Sequence, residues 1–205
     1  MNKFEIAAQE IFGASTDNKT VLDAGCRDCI FASHVPAGWE YSGLDLFQND
    51  AGSVRFVQSV EVPIPVPDRA FGVVVALDVV EHVDRMSQVM DELWRVTDRR
   101  LVVALPNMAW ALYRLGFLFT GRLGEKYKVL PYGSDDGDRH RWLTTAEDCA
   151  KYIDEFAAAK RDVASVRTVP TLETGKRRLF ASVARTFGAS PQLYAPTLVF
   201  VIQRK

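Results

Sequence analysis

The stretch Arg69–Val83, RAFGVVVALDVVEHV, decides the fold class. Its centre, Phe71–Leu77, is a continuous apolar run. Runs of this kind form strands buried on both faces, which requires helices above and below a parallel sheet. The preceding segment, VPIPVPD (62–68), carries three prolines in five residues and reads as a loop. Asp78 is expected to open a helix whose apolar positions include Val79, Val83, Met86, Met90, Leu93 and Trp94.

Outward from this run the pattern repeats. KTVLDAG (19–25), EYSGLDL (40–46), SVRFVQS (53–59) and RRLVVALP (99–106) read as further strands. Phe4, Ile6, Ala7, Ile11 and Phe12 recur at helical spacing, with Gly13 as a stop. Beyond Pro106 come an apolar helix (107–122), a polar loop and an amphipathic helix (144–159) capped by Thr144 or Thr145. A strand (161–169), a helix (175–188) and a last strand (196–205) complete the pattern. Alternating strands and helices make this an α/β chain. Seven strands are expected, mostly parallel, with an antiparallel last strand. The 205 residues suit one domain over 1–205, with excursions at about 107–145 and 170–195 shaping the substrate side.

Composition narrows the function classes. With 25 basic and 26 acidic residues, the formal net charge is −1 and there is no global basic field for nucleic acid. No apolar run approaches the length that spans a bilayer. MNKFEIAAQEIFG (1–13) has acidic residues among its apolar ones and no signal-peptide core. Three cysteines fit a reducing cytoplasm better than a disulfide scaffold.

In open α/β sheets, ligands bind outside the carboxyl ends of the strands, often at the loop after the first. Here that loop is GCRDCI (25–30), and Asp45 follows Gly25 by twenty residues, at the end of the second strand. That spacing suits a carboxylate accepting hydrogen bonds from ribose hydroxyls. A nicotinamide dinucleotide would call for G-x-G-x-x-G, and the loop has one glycine of the three. Asp23 at the strand end also disfavours a phosphate nearby. S-adenosylmethionine, which carries none, places weaker demands on the loop.

Read together, VLDAGCRDC, GLDL, IPVPDRAFGVVVALDVVEHVD and ELWRVTDRRLVVALPN resemble the ordered motifs of class I S-adenosylmethionine-dependent methyltransferases, a Rossmann-like fold. The segments from Asn107 onward resemble the MetW-like and small-molecule O-methyltransferase branches. The resemblance implies a cofactor site of Asp23, Gly25, Cys26, Asp45, Leu46, Ser59, Val60, Glu61, Leu77 and Asp78. Gly25 and its neighbours would line the methionine part, Asp45 would bind the ribose, and Leu46 with Ser59–Glu61 would wall the adenine. The sequence departs from the family at three places. Arg27 and Cys29 replace loop glycines, Val60 stands where an acid is common, and Gly72 replaces an acid.

Cys26 and Cys29 form a C-x-x-C pair after a strand, which is also a redox arrangement. Four-ligand zinc lacks partners, since Cys149 and three histidines without paired spacing remain. Cofactor-loop lining for Cys26 and helix packing for Cys29 fit better. Asp78 and Glu81 form the D-x-x-E pattern of a capping box, and His82 follows as a packing residue. His140 is the candidate general base for methyl transfer to a hydroxyl, with Tyr132, Asp138 and Arg141 as substrate contacts. Asp135, Asp136, Asp138 and His140 crowd one loop, either as a solvated acidic loop or around a divalent cation; no metal site is assigned. Helix 108–119 could cover an apolar substrate, meet a second copy or touch a membrane surface.

The expected function is S-adenosylmethionine-dependent O-methylation of a small molecule, saccharide-linked or a natural product, by a cytoplasmic monomer or homodimer. The alternative is a non-catalytic or partner-dependent binding protein on this fold, suggested by the glycine-poor loop.

Overall fold

The computed structural model describes residues 1–12, 17–123, 125–127, 132, 139–172 and 176–205. Seven strands form one sheet: β1 (Thr20–Ala24), β2 (Glu40–Asp45), β3 (Val54–Val57), β4 (Phe71–Leu77), β5 (Thr97–Pro106), β6 (Val163–Pro170) and β7 (Thr197–Arg204). Their spatial order is β3-β2-β1-β4-β5-β7-β6. The first five run parallel, and β7 lies antiparallel between β5 and β6. The order reverses between β1 and β4, so the carboxyl ends of these two strands flank the switch point where such sheets bind ligands.

β4 explains the layering. All seven of its residues are buried. Val73, Val75 and Leu77 face helix α1 (Lys3–Phe12), through Ile6, Ala7 and Ile11. Val74 and Ala76 face the opposite layer, containing Met90 and Leu93 of α2 (Met86–Val96) and Ile153 and Phe156 of α4 (Ala146–Ala159). Each such side chain contributes about 1.5–3 kcal/mol by leaving water. The apolar run between two helical layers is therefore the physical form of the expectation for 69–78.

Gly72, where an acid is common, answers to a steric demand. A Cβ there would lie 1.9 Å from the backbone oxygen of Asn18, and the Gly72 N–H donates to Thr20 Oγ1 at 2.9 Å. The chain leading into β1 lies directly on β4 at this point.

The expected helix start at Asp78 is corrected by the structure. Asp78 has φ 60°, in the left-handed region, and its N–H donates to Ala104 O at 3.1 Å, continuing the contact with β5. A short 3₁₀ turn follows at Val80–His82, and α2 begins only at Met86. A capping box needs helical backbone from the first turn on, which a left-handed residue interrupts. Glu81 instead points inward. Glu61 accepts the Asp84 and Arg85 N–H groups on Oε1, both at 3.1 Å, and so caps the approach to α2.

The remaining elements follow the sequence reading with small changes. Thr145 is the N-cap of α4 and accepts from the Asp148 N–H, whereas Thr144 Oγ1 donates to Pro106 O. Helix α3 is shorter than expected, Ala111–Thr120, and exposes Tyr113, Leu115, Phe117, Leu118 and Phe119. Helix α5 spans Lys176–Thr186, and a short α6 (Pro191–Tyr194), capped by Ser190, precedes β7. No helix among the described residues is long and apolar enough to cross a membrane.

The close approach at Gly72 yields a test. Gly72→Ala is expected to destabilise the fold by about 3 kcal/mol, the scale of overpacking against immovable backbone. Urea unfolding of the two proteins, with unchanged m-values, is the check.

Candidate active site

The carboxyl ends of β1, β2 and β4 sit side by side. Ala24 pairs with Leu44 on one side and Ala76 on the other. The N–H groups of Gly25 and Cys26 both donate to Leu44 O, at 2.7 and 3.0 Å. This pins the loop after β1 onto the end of β2. Asp45 closes the loop from below: its carboxylate accepts the Arg27 N–H at 2.7 Å and the Phe47 N–H at 3.3 Å. Leu46 and Phe47 beside it are exposed apolar side chains. Gln58 N–H donates to Asp45 O, bringing the Ser59–Glu61 segment to the same edge.

The loop conformation explains why this position favours glycine. Gly25, Arg27 and Cys29 have φ of 73°, 48° and 54°. Glycine adopts such angles freely, whereas other residues lose roughly 1–2 kcal/mol each. Arg27 and Cys29 take this left-handed path without being glycines. At Gly25 a Cβ would meet Val79 Cγ2 at 2.3 Å, so this glycine also lets the β1 and β4 loops touch.

Cys26 and Cys29 turn inward. Their sulfurs lie 3.6 Å apart and pack with Val54 over Gly43, where a Cβ would be 2.7 Å from Cys26 Sγ. Burial drives the Cys26 thiol well above its ordinary range, the Cys29 hydrogen bond adding to it. Redox cysteines need the opposite shift. Cysteine here acts as a small apolar side chain.

Acidic groups converge at the floor. Asp23 is buried and accepts the Tyr41 hydroxyl proton at 2.7 Å. Burial raises its carboxyl to about 6, against the lowering effect of Tyr41. Asp78 takes Lys3 Nζ on Oδ2 at 2.5 Å, while its Oδ1 is buried with no hydrogen-bond partner among the described residues. Lys3 escaped the sequence reading. It lies 75 residues from Asp78, and only the packing of α1 on the sheet brings the two together.

A second group lies beyond Asp78. Glu81 is fully buried, with neither carboxylate oxygen hydrogen-bonded among the described residues. Burial, with the neighbouring Asp78 charge, raises its carboxyl to about 8. His82 Nε2 and His140 Nε2 each stand 3.9 Å from Glu81 Oε1. The two imidazoles meet edge to face at 4.6 Å. Segment 139–142 is stitched to this turn: Arg141 N–H donates to Glu81 O, Trp142 Nε1–H donates to Val83 O, and Arg139 O meets His82 Nδ1 at 2.8 Å. Thus His140, 59 positions after Glu81 in the chain, reaches the end of β4. The sequence signal for this pairing was the Glu81–His82 dipeptide, read there as capping and packing.

The other expected site residues are placed as follows. Ser59 Oγ accepts the Glu61 N–H, Val60 is buried in the core, and Glu61 is engaged at α2. Leu77 is buried at the end of β4. Arg141 pairs with Asp84 at 3.2 Å. Tyr132 is fully exposed. Asp135, Asp136 and Asp138 lie outside the described residues.

Residues 6–158 match the family model for a methyltransferase domain. The chain belongs to this family. It is a class I S-adenosylmethionine-dependent methyltransferase, and therefore an enzyme with S-adenosylmethionine as cofactor. No curated protein matches the chain. Among solved structures, the small RNA methyltransferase HEN1 aligns with a TM-score of 0.67 at 14% identity, covering 99% of this chain and 25% of that one. The chain thus spans a quarter of that protein's length. A SAM-dependent methyltransferase from Archaeoglobus fulgidus aligns at 0.58 and 14% identity, covering 99% and 95%. Magnesium protoporphyrin IX methyltransferase from Synechocystis PCC 6803, with bound SAH, aligns at 0.58 and 14% identity, covering 98% and 82%.

The residues present fit this cofactor. The unpartnered Asp78 Oδ1 can accept from an ammonium group, the Asp45 carboxylate from vicinal hydroxyls, and exposed Leu46 and Phe47 offer an apolar shelf to a purine.

Asp23 generates a pH test. Its folded carboxyl titrates near 6 and its unfolded one near 3.8, so between these values the unfolded chain releases the proton first. Stability from this group is fully present below about pH 3.8 and is lost as pH rises towards 6. Asp23→Asn is expected to flatten that slope and to gain about 2 kcal/mol at pH 7. Urea titrations at pH 4, 5, 6 and 7 measure it.

Proposed function

We propose that the enzyme methylates a hydroxyl of a small-molecule acceptor, saccharide-linked or a natural product. The observation that carries this is the titratable group at the end of β4: the Nε2 atoms of His82 and His140 gathered on one oxygen of the buried Glu81 carboxyl. A hydroxyl must lose its proton as it attacks, so a site for that reaction needs a proton acceptor within reach. The net charge of −1 favours a small acceptor over a polyanion.

The bound cofactor supplies a methyl group on a sulfonium, open to in-line displacement. The chain's residues bind and orient. Asp45 holds the ribose, and Leu46, Ser59, Val60 and Glu61 border the adenine. Asp23, Gly25, Cys26, Leu77 and Asp78 surround the methionine end. His140 accepts the hydroxyl proton at its Nε2. Its Nδ1 lies 2.9 Å from the Tyr127 hydroxyl, which donates its own proton to Trp142 O at 3.1 Å and so accepts from the ring. That arrangement leaves Nε2 as the basic nitrogen and fixes the ring. Tyr132 and Arg141 would border the acceptor, and Asp138, which lies outside the described residues, is proposed with them as a substrate contact. Much of the rate would come from holding nucleophile, methyl carbon and sulfur in line.

Transfer of labelled methyl from S-adenosylmethionine to a panel of sugars, phenols, polyols and amines tests the reading. Label entering hydroxyl acceptors supports it, and label confined to amines overturns it. Asp45→Ala is expected to weaken cofactor binding more than about tenfold by calorimetry. His140→Ala is expected to lower kcat at least about 100-fold with unchanged cofactor affinity. Wild-type turnover in that variant would remove the base assignment.

A further inference from the structure

The cluster at the end of β4 has a feature that a proton relay leaves unexplained. Glu81 is a carboxylate taken wholly out of water with no donor to either oxygen among the described residues. Buried carboxylates are ordinarily hydrogen-bonded, paired or bound to metal. Two imidazoles face its Oε1, and both present Nε2.

The other ring nitrogens are already committed. His82 Nδ1 lies 2.8 Å from Arg139 O, a group that can only accept. His82 therefore carries its proton on Nδ1. His140 Nδ1 lies 2.9 Å from the Tyr127 oxygen, whose proton goes to Trp142 O. This again places the ring proton on Nδ1. In each ring Nε2 becomes the basic nitrogen, 3.9 Å from Glu81 Oε1. Orientation of a histidine by an oxygen acceptor on its far nitrogen is the outer-shell pattern of metal-binding imidazoles.

We propose that Glu81, His82 and His140 bind a divalent transition-metal ion, of the Zn²⁺, Co²⁺ and Mn²⁺ class. One ligand atom from each residue lies within 4.8 Å of the other two. Two atoms each about 2.1 Å from a tetrahedral ion are roughly 3.4 Å apart, so the 3.9 Å pairs close by about half an ångström on binding. Two imidazoles and one carboxylate favour these ions over Mg²⁺, which prefers all-oxygen ligation. Asp78, whose charge acts on Glu81, adds attraction for a cation. The charges of Lys126 and Lys3 oppose it, the latter bound to Asp78. Three protein ligands leave a coordination position open, as catalytic rather than structural ions require.

In the transfer reaction, a role for this ion rests on the hydroxyl-acceptor reading above. With the ion bound, His140 Nε2 would be a ligand, and an acceptor hydroxyl in the open position would become more acidic. The hydroxyl proton would leave to bulk water as the methyl group is transferred; the His140 base reading describes the metal-free protein. The ion site itself requires no acceptor, so it is tested without one.

Chelator-stripped full-length protein is titrated with Co²⁺ and Zn²⁺, followed by visible d–d absorption and by equilibrium dialysis. The expected result is one ion per chain at about micromolar concentration, with Zn²⁺ displacing the Co²⁺ spectrum. Glu81→Gln, which removes the ionisable ligand oxygen and keeps the shape, is expected to weaken binding at least about 100-fold while remaining folded by circular dichroism. Tyr127→Phe, which removes the acceptor that orients His140, is expected to weaken it about tenfold, as outer-shell losses do. Absence of stoichiometric binding up to millimolar Co²⁺ and Zn²⁺, or unchanged affinity in folded Glu81→Gln, overturns the proposal. Either result leaves the hydroxyl-acceptor reading standing, because that reading is tested separately, by which acceptors take up the labelled methyl group.

Discussion

Everything at the active edge depends on how the chain leaves β4. The strand is buried on both faces, so its end is a point in the core with fixed neighbours: β1 on one side and β5 on the other. Asp78 exits through the left-handed region while still bonded to Ala104 O. That conformation disfavours a non-glycine residue by roughly 1–2 kcal/mol, and the surrounding sheet contacts hold it. Its consequence is directional. The turn aims Asp78 at Lys3 of α1 and drives Glu81 into the interior, where a regular helix start would have left both near solvent.

The loop after β1 answers this turn. Gly25 permits contact with Val79, and Arg27 and Cys29 keep the left-handed path without being glycines. Asp45 stabilises that path by accepting the Arg27 N–H, so the residue proposed to hold the ribose also shapes the loop beside it. Loop conformation and ligand site are coupled through one carboxylate. The inward-facing cysteines fill the space over Gly43, which makes the C-x-x-C pair a packing device.

The methyltransferase family supplies a cofactor and a reaction type, and the sheet supplies the edge where both meet. What individualises this enzyme lies at the margin of that edge. Helix α3 exposes a row of large apolar side chains, and segment 139–142 brings a histidine back to Glu81 through backbone hydrogen bonds to the β4 turn.

The amino-acid sequence alone determined the strand order along the chain, the parallel class and the position of the ligand edge. The reason is that apolar runs, prolines and strand-end glycines act locally: Phe71–Leu77 must be buried wherever it is placed, and 62–68 cannot be a helix. The place of Asp45, at the end of the second strand beside the Gly25 loop, was legible from its spacing. Tertiary structure alone decided the rest. D-x-x-E has the same spacing in a capping box and in a buried carboxylate turn, and only contact with β5 selects between them. Lys3 with Asp78, and His82 with His140, are pairs made by packing across long sequence separation, where spacing carries no signal. Gly72 was visible as a departure from the family, but its cause, the Asn18 carbonyl lying against it, exists only in the folded chain.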